Sequence, residues 1–419
     1  MKLPAPASLD PAHDCAVLDW ASSGAMALTG FRDGPPIASP AAAIGLLAEA
    51  TRALERMTGE LGSQVSVDPG VVLSGRAALL GLTRSGQTSA GGATRLLRAA
   101  DGWCAVTLSR PTDFDAVPAI LAADNVPDDP WSALADAARL APGSAAELVA
   151  RCRLLGVPAA ALPSAPAERS VIPFRSSRIA PRAPAASLSG AMVVDLSSMW
   201  AGPLCAHLLG KAGARVIKVE GATRPDGARR ADPRFFSWLH DGHEQVTLDF
   251  HAPAGRAALA ALLAEADVVI EASRPRALAQ LGLAPGEHRH RAGQVWLSIT
   301  GHGRAEPELA AFGDDAAVAG GLVGWQEGEP VFCADAVADP LTGVCGALAV
   351  SAALLGGGGL LVDLSMRAVA AAFASAAAAG SAGHGPHDVY RDGHEWLVYC
   401  PRLSHHQAVL PPRSPDRLW

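Results

Sequence analysis

Lysine and tyrosine are scarce in this sequence. Three of the 34 basic residues are lysines, at Lys2, Lys211 and Lys218, and the chain has two tyrosines. Acidic residues outnumber basic ones and give a net charge of −7, with no long run of either sign. A protein that binds nucleic acid usually carries a basic stripe that neutralises phosphates. The composition therefore argues against a nucleic-acid partner.

The chain also lacks a long uninterrupted apolar segment. Its longest apolar run, 346–362, is shorter than the roughly 18 residues that span a bilayer, and it contains Ser351 and Gly356–Gly359. The first 14 residues have no apolar signal core. We therefore expect a cytoplasmic protein with no membrane partner.

The cysteines form no recognisable set in the sequence. There are seven, an odd number, and none belongs to a C-x-x-C pair, which favours reduced thiols over a disulfide framework or a zinc site. Three pairs of histidines are spaced like metal ligands. They are His240 with His243, His288 with His290, and His384 with His387. Because no nearby cysteine or acid completes a ligand set, we predict no metal site.

Two motifs of familiar enzyme classes are absent. The first strand-to-helix turn, at 200–205, lacks the G-x-G-x-x-G of dinucleotide-binding proteins. Glu220 ends the second strand, as an acid that binds a ribose would, but the missing glycines argue against NAD(P) or FAD. No G-x-S-x-G sequence is present, which argues against an α/β-hydrolase.

The composition is that of a folded chain with a sizeable core. Hydrophobic residues make up 49% of the 419 residues and charged residues 18%, and this length suits two domains. Short apolar runs that predict strands alternate with helical patterns in the C-terminal part. These runs are 191–196, 215–220, 246–250, 267–271 and 295–300. Such alternation predicts an α/β fold with a Rossmann-like, doubly wound parallel sheet.

Several landmarks occur twice in the same order, which suggests an internal duplication. The matching segments are 19–24 with 315–320, 40–57 with 341–355, 65–68 with 361–363, and 96–103 with 389–396. In the first pair, Asp19 corresponds to Asp315. Residues 158–188, rich in proline, alanine and serine, predict a linker between the two copies.

Asp314 and Asp315 stand out in the otherwise small and apolar segment 311–322. A carboxylate at such a site is costly unless it is paired or functional, and an adjacent like charge raises the pKa of one of the two. The same pair is also typical of a helix amino end, where acids cap free backbone N–H groups. The residues alone leave both interpretations open.

The stretch from Val193 to Pro203, followed by Ala214–Glu220, resembles the opening of the family III CoA-transferases. That family includes formyl-CoA and carnitine CoA-transferases and the α-methylacyl-CoA racemases. Leu155–Ala159 resembles the turn that ends the small domain of the family. The likeness continues through 246–249, 266–271, 274–275, 281–283, 297–303 and 338–343.

The resemblance implies a large CoA-binding domain, a smaller α/β domain and an interlocked homodimer, but with an unusual order of parts. Residues 1–89 are expected to be a partial copy of the segment by which the family's chain returns to its large domain. The small domain is expected at 90–163, a linker at 164–188 and the large domain at 189–380. Residues 381–419 are expected to be the truncated start of a second small domain. We expect 90–163 to complete the large domain, within the chain or across a dimer.

The resemblance also implies a reaction in which a carboxylate attacks an acyl-CoA thioester, with a carboxylic acid as acceptor. Gly313-Asp314-Asp315 resembles the Gly-x-Asp of the family, so Asp315 is the expected nucleophile and Asp314 the alternative. CoA enters as part of the substrate, and no tightly bound cofactor is implied. The residues implied to contact CoA are Trp200, Ala201, Arg224, His240, His243, Ser273, Arg274, Thr300, Gly301 and His302.

Some expected cations are missing from the CoA site. His240-Asp-Gly-His243 stands where the family has Asn-Arg-Gly-Lys, and Gln280 stands where an arginine is expected. This leaves open a CoA-binding homologue without catalytic activity. The other alternative is an acyl-CoA racemase, in which Asp315 and a histidine exchange the α-proton. The candidate histidines are His288, His290 and His302.

Overall fold

Helices and strands alternate along most of the chain. The computed structural model describes residues 15–124, 126–140, 144–164, 173–184, 187–230, 232–381 and 386–415. Parts of the predicted segments 1–89, 164–188 and 381–419, and all of His384, lie outside these described residues.

The helices and strands have the following bounds. The helices are α1 (Ala16–Ser22), α2 (Ala43–Leu61), α3 (Pro69–Leu80), α4 (Pro111–Asp115), α5 (Val117–Leu121), α6 (Pro130–Leu140), α7 (Ala145–Leu154), α8 (Ala201–Lys211), α9 (Pro233–His240), α10 (Pro253–Glu265), α11 (Pro275–Gln280), α12 (Gly313–Ala319), α13 (Ala338–Leu355) and α14 (Met366–Ser381). The strands are β1 (Thr94–Ala99), β2 (Gly102–Thr107), β3 (Ala159–Ala161), β4 (Phe174–Arg178), β5 (Met192–Asp195), β6 (Arg215–Gly221), β7 (Glu244–Leu248), β8 (Val268–Glu271), β9 (Val295–Thr300), β10 (Gly324–Gln326), β11 (Glu329–Val331), β12 (Leu360–Ser365), β13 (Asp388–Asp392), β14 (Glu395–Cys400) and β15 (His405–Ala408).

A seven-stranded sheet forms the centre of the large domain. Its strand order is β4-β12-β9-β8-β5-β6-β7, and all neighbours are parallel except β4, which runs antiparallel to β12. Val193 packs with α8 and α13 on one face, and Val194 packs with α10 on the other. Because helices cover both faces, the central strands carry continuous apolar runs. The predicted α/β fold with a doubly wound parallel sheet is confirmed.

One strand of this sheet comes from the segment expected to be a linker. Phe174–Arg178 pairs with β12 at the edge of the sheet, and Phe174 is its buried side chain. An edge strand is held mainly by backbone hydrogen bonds, so its composition resembles that of a loop. These five residues therefore extend the sheet instead of linking two domains.

The N-terminal helices belong to the same core as the sheet. Leu47 and Leu54 of α2 share one buried apolar cluster with Leu204 of α8 and Val344 of α13. Helix α13 packs against both α8 and α2. The N-terminal segment therefore adds a helical layer to the large domain.

The antiparallel strands β1, β2 and β3 form a separate small sheet. Helices α5, α6 and α7 pack against it around an apolar cluster that includes Cys104, Val106, Ile120 and Leu134. This unit occupies the residues expected to form the smaller α/β domain.

The two segments expected to be copies share the order of their helices and of the hairpin that follows, although among the described residues β10, β11 and β12 of the second segment have no counterpart in the first. Helices α1, α2 and α3 with the β1–β2 hairpin correspond in order to α12, α13 and α14 with the β13–β14 hairpin. The first helix of each segment packs on the sheet of the other: α12 on β2 and β3, and α1 on β14 and β15. The duplication itself stays a prediction, but the small domain contacts the large one within this chain.

Among the described residues, one helix is long and apolar enough to cross a membrane by length and composition. This is Ala338–Leu355, and 83% of it is buried inside the structure. It packs against α2, α8 and α14, so its apolar surface serves the core.

Candidate active site

Four aspartates gather where α12 and α13 begin. Asp314 and Asp315 lie in the first turn of α12, and Asp339 lies in the first turn of α13. Asp335, just before α13, is fully buried. The amino end of a helix presents free backbone N–H groups, which favour carboxylates at these positions.

Asp315, the nucleophile expected from the sequence, is fully buried. Its Oδ1 accepts hydrogen bonds from the backbone N–H of Phe312 at 2.9 Å and from the hydroxyl of Thr107 at 3.1 Å. Its Oδ2 is buried without a hydrogen-bond partner in the described part of the chain. Burial raises the pKa of this carboxyl group to about 7. Asp315 is thus held in the interior as a capping group of α12.

Asp339 has a different environment, because it retains some exposure to solvent. Its Oδ2 accepts a hydrogen bond from the backbone N–H of Gly313 at 3.1 Å. A Cβ at position 313 would lie 2.3 Å from the carbonyl oxygen of Ala336 and 2.5 Å from Asp339 Oδ2, so only glycine fits there. Desolvation raises the pKa of Asp339 to about 7, although the charge of Arg76 opposes the shift.

Asp314 contacts the hairpin of the small domain. Its Oδ2 accepts a hydrogen bond from Thr94 Oγ1 at 3.4 Å, and Thr94 Oγ1 lies 3.0 Å from Thr107 Oγ1. Desolvation, followed by the charge of Asp335, raises the pKa of Asp314 to about 6. Both acids of α12 are therefore tied to β1 and β2.

Arg76 of α3 supplies a positive charge to this cluster. Its Nε and Nη2 each lie 2.8 Å from an oxygen of Asp335, and its guanidinium lies 5.3 Å from the ring centroid of Trp200. Its charge also acts on Asp314 and Asp339. Sequence reasoning missed Arg76, because a lone arginine in a helix carries no local signal. Only the fold brings α3 to the acids.

Four arginines lie near one another at the boundary between the small and large domains. Arg224 and Arg274 are two of the expected CoA contacts, and the structure adds Arg276 and, from the small domain, Arg110. After desolvation, the charges of Arg276, Arg110 and Arg224 lower the pKa of Arg274. Glu308 opposes this shift and pairs with Arg276 at 2.6 Å, and the guanidinium groups of the set are suited to bind phosphates.

Arg110 links this group of arginines to the aspartates. It pairs with Asp113 at 2.7 Å and donates a hydrogen bond to the carbonyl of Gly156 at 3.0 Å. Its guanidinium lies 5.9 Å from the ring centroid of Phe312, the residue that caps α12. No motif in the sequence marks Arg110 as a site residue.

Trp200 and Ala201, expected against CoA, are buried at the start of α8. The rings of Trp200 and Phe235 pack edge to face, with their centroids 5.6 Å apart. Both residues are almost fully buried, and their expected contact with CoA stays a prediction.

His240 and His243, also expected at CoA, turn towards the interior. Their Nδ1 atoms lie 3.3 Å apart, and the ring of His243 packs near His207. Desolvation lowers the pKa of His240 to about 2 and that of His243 to about 4. Such pKa values leave both imidazoles uncharged near pH 7, and their expected contact with CoA stays a prediction.

The other expected contacts lie at the end of β9 or just after β8 and β9, at the carboxyl edge of the sheet, where ligands of such sheets bind. Ser273 is partly exposed, whereas Gly301 and His302 are buried. Thr300 Oγ1 accepts a hydrogen bond from the backbone N–H of Gly303 at 2.9 Å, which shapes the turn. Desolvation lowers the pKa of His302 to about 4.

Comparison with known proteins points to one family. The family described as CoA-transferase family III matches residues 188–401. The chain is 30% identical over 200 residues to the succinyl-CoA–D-citramalate CoA-transferase of Chloroflexus aurantiacus, covering 44% of this chain and 50% of that protein. It is 31% identical over 202 residues to the succinate–glutarate CoA-transferase of Agrobacterium fabrum, covering 43% and 50%. A solved structure of a CAIB/BAIF family protein from Brucella suis is 25% identical with a TM-score of 0.45, covering 51% of this chain and 65% of that one.

The chain spans about half the length of the curated relatives that it matches. The family match begins at residue 188 and so leaves out the N-terminal half. Arg76, Thr107 and Arg110, which contact the candidate site, all lie in that unmatched part.

We expect the aspartate cluster to destabilise the fold as the pH rises from about 4 to about 7. Folding raises the pKa of Asp315 to about 7, so the folded chain binds this proton more tightly than the unfolded chain. The fold is therefore most stable in acid, and it loses that stability as the pH rises and Asp315 ionises. The Asp315→Asn variant has no ionisable group at this position. Near pH 8 its free energy of unfolding should exceed that of the wild type by about a few kcal/mol at most, the order of magnitude of the pKa shift of Asp315. Denaturant unfolding at pH 5 and pH 8 measures this difference. An equal pH dependence in both proteins would contradict the assignment.

Proposed function

Because the chain belongs to CoA-transferase family III, we propose that it moves CoA between an acyl-CoA thioester and a carboxylic acid. The observation that carries the proposal is the aspartate cluster at the starts of α12 and α13, beside arginines at the carboxyl edge of the sheet. The cluster supplies a carboxylate nucleophile, and the arginines supply cations for the phosphates of CoA.

The proposed reaction passes through covalent intermediates. The aspartate carboxylate attacks the thioester carbonyl, which forms a mixed anhydride and expels CoA as a thiolate. The thiolate attacks the aspartyl carbonyl, releases the acyl group as its carboxylate, and leaves an aspartyl-CoA thioester. The acceptor carboxylate then repeats the two steps in reverse, so that the new acyl-CoA leaves and the aspartate is restored. No ATP or redox partner is consumed.

We assign the nucleophile to Asp339, which revises the expectation of Asp315. Attack requires a carboxylate that the substrate reaches, and Asp314 and Asp339 are partly exposed whereas Asp315 is fully buried. Of the two partly exposed acids, Asp314 is bound by the Thr94 hydroxyl of the small domain. The backbone of Gly313 approaches Asp339 closely and donates a hydrogen bond to it. Asp315 acts as a positioning residue, because its bonds to Phe312 and Thr107 fix the turn that presents Gly313.

We infer that one chain contains the residues of a complete site. The N-terminal half contributes Arg76 to the acid cluster, Thr107 to Asp315 and Arg110 to the arginine group. The resemblance implies that the small domain contacts the large domain either within one chain or between two chains. Here these residues make the contact within one chain. A homodimer, if formed, need not exchange these residues.

The acyl donor we propose first is the CoA ester of a short dicarboxylic acid. Two similar proteins are named for succinyl-CoA with D-citramalate and for succinate with glutarate. Arg153 is partly buried, and its charge interacts with Glu306 and, less strongly, with Asp315. It supplies a cation near the cluster for the second carboxylate of such a substrate.

The racemase alternative finds no support in the contacts of the described residues. His288 and His290 pack near Trp296 and precede β9, at the edge of the sheet opposite the candidate site. His302 follows β9, but it is buried with a pKa of about 4, which makes it a poor base at neutral pH.

Asp339→Asn should lower the transfer rate by at least about 1,000-fold, because an amide does not attack a thioester. The measurement is chromatographic separation of CoA esters after incubation of succinyl-CoA with a panel of dicarboxylic acids. The matched control is Asp19→Asn, in the N-terminal segment, which should keep the wild-type rate.

Retained transfer in Asp339→Asn together with loss in Asp315→Asn would return the nucleophile to Asp315. A wild-type chain that transfers CoA from no acyl-CoA of the panel would overturn the proposed reaction in favour of a non-catalytic CoA-binding protein.

Arg274→Ala and Arg110→Ala should each raise the KM for acyl-CoA about tenfold, with a smaller change in kcat, because they bind phosphates away from the reacting carbonyl. Steady-state kinetics with varied succinyl-CoA separates the two constants. Arg289→Ala is the matched control, since Arg289 is exposed and precedes β9 at the other edge of the sheet. An unchanged KM in both variants would place the phosphates elsewhere.

A further inference from the structure

The β13–β14 hairpin presents a histidine and a cysteine where β1–β2 presents two threonines. In the first hairpin Thr94 lies opposite Thr107. In the second hairpin Asp388 lies opposite Tyr399, so the next residues away from the turn, His387 and Cys400, also lie opposite each other. Counted from the turn of each hairpin, these are corresponding positions. Helix α1 packs on β14 as α12 packs on β2, so this second hairpin also faces the start of a helix.

Cys15, the residue that precedes α1, completes a cluster with His387 and Cys400. Cys15 Sγ lies 3.1 Å from His387 Nε2, and the three potential ligand atoms all lie within 4.8 Å of one another. Both cysteines are fully buried, and the histidine is partly exposed. In the described part of the chain, this is the one group of three or more such side chains that is close enough to share a metal ion.

We propose that Cys15, His387 and Cys400 bind a zinc ion. Zinc accepts thiolate sulfur at about 2.3 Å and imidazole nitrogen at about 2.0–2.1 Å in tetrahedral geometry, which places ligand atoms roughly 3.3–3.8 Å apart. The cluster meets this spacing with small side-chain movements. Water or another small ligand takes the fourth position, as in other sites with three protein ligands.

A metal explains why two buried thiols lie beside an imidazole. Desolvation raises the pKa of the Cys15 thiol, and the neighbouring Cys400 raises it further. Zinc binding releases the thiol protons and gives the buried sulfurs a cation to pair with. Sulfur and imidazole nitrogen are the ligands that zinc prefers over the hard cations magnesium and calcium.

The proposed ion joins the two ends of the described chain. Cys15 and His387 are 372 residues apart, so sequence spacing gave no sign of the cluster. The sequence pattern pairs His387 with His384, which lies outside the described residues, whereas the structure pairs it with two cysteines. The zinc site would hold α1 against β14, as Asp315 and Thr107 hold α12 against β2. It does not rest on the proposed transfer reaction.

Zinc uptake by the full chain tests the site. The protein is reduced, treated with a chelator, incubated with Zn²⁺ and desalted, and its metal content is measured by mass spectrometry. We expect one zinc per chain, and at least tenfold weaker binding in competition titrations of Cys400→Ala and of His387→Gln. Cys345→Ala is the matched control, because it removes a buried thiol of α13 that is not one of the three ligands, and should bind like the wild type.

Cobalt provides a second measurement that does not depend on stability. Co²⁺ bound to the wild type should show thiolate-to-metal charge-transfer absorption. Cys15→Ala and Cys400→Ala, which each keep one thiol of the cluster, should show about half of this absorption or less while circular dichroism shows both folded. Absence of stoichiometric zinc in the wild type, or equal affinity in Cys400→Ala, overturns the proposal. A Cys15–Cys400 disulfide in the oxidised protein, with no metal bound after reduction, would overturn it in favour of a redox pair.

Discussion

The burial of the start of α12 against β2 and β3 is the contact on which the candidate site depends. Thr107 of β2 and the backbone of Phe312 hold the Asp315 carboxyl group in the interior. This fixes the first turn of α12, whose Gly313 N–H binds Asp339 at the start of α13. The small domain thereby sets the position of the proposed nucleophile through the helix between them. A preorganised backbone donor of this kind favours a reaction in which charge moves between carboxylates.

Charge balance gives the cluster its chemical character. Several carboxyl groups share one mostly buried region with Arg76, which is already paired with Asp335. Desolvation raises the pKa values of Asp314, Asp315 and Asp339 to between about 6 and about 7. Burial therefore favours the protonated form of each carboxyl group, and the charge of Arg76 favours the ionised form of Asp314 and Asp339. The ionised form is the one that the proposed attack on a thioester requires.

Local patterns predicted the core strands well, because β5, β6, β8 and β9 are apolar, buried and bounded by turns. The same reasoning missed β4, which is held by backbone pairing at an edge. The family resemblance led to Asp315, with Asp314 as the alternative, and did not single out Asp339, since the sequence does not show which carboxylate the small domain covers. Arg76, Arg110 and the Cys15 cluster were out of its reach, because each is assembled from segments distant in sequence.

The most direct test of the proposed mechanism is to identify the aspartate that carries CoA. The wild-type chain would be incubated with succinyl-CoA, treated with hydroxylamine to convert an aspartyl anhydride or thioester into a hydroxamate, digested and mapped by mass spectrometry. We predict a hydroxamate on Asp339 that forms only with the acyl-CoA present. A hydroxamate on Asp314 or Asp315 instead, or an active enzyme that forms none, would contradict the assignment.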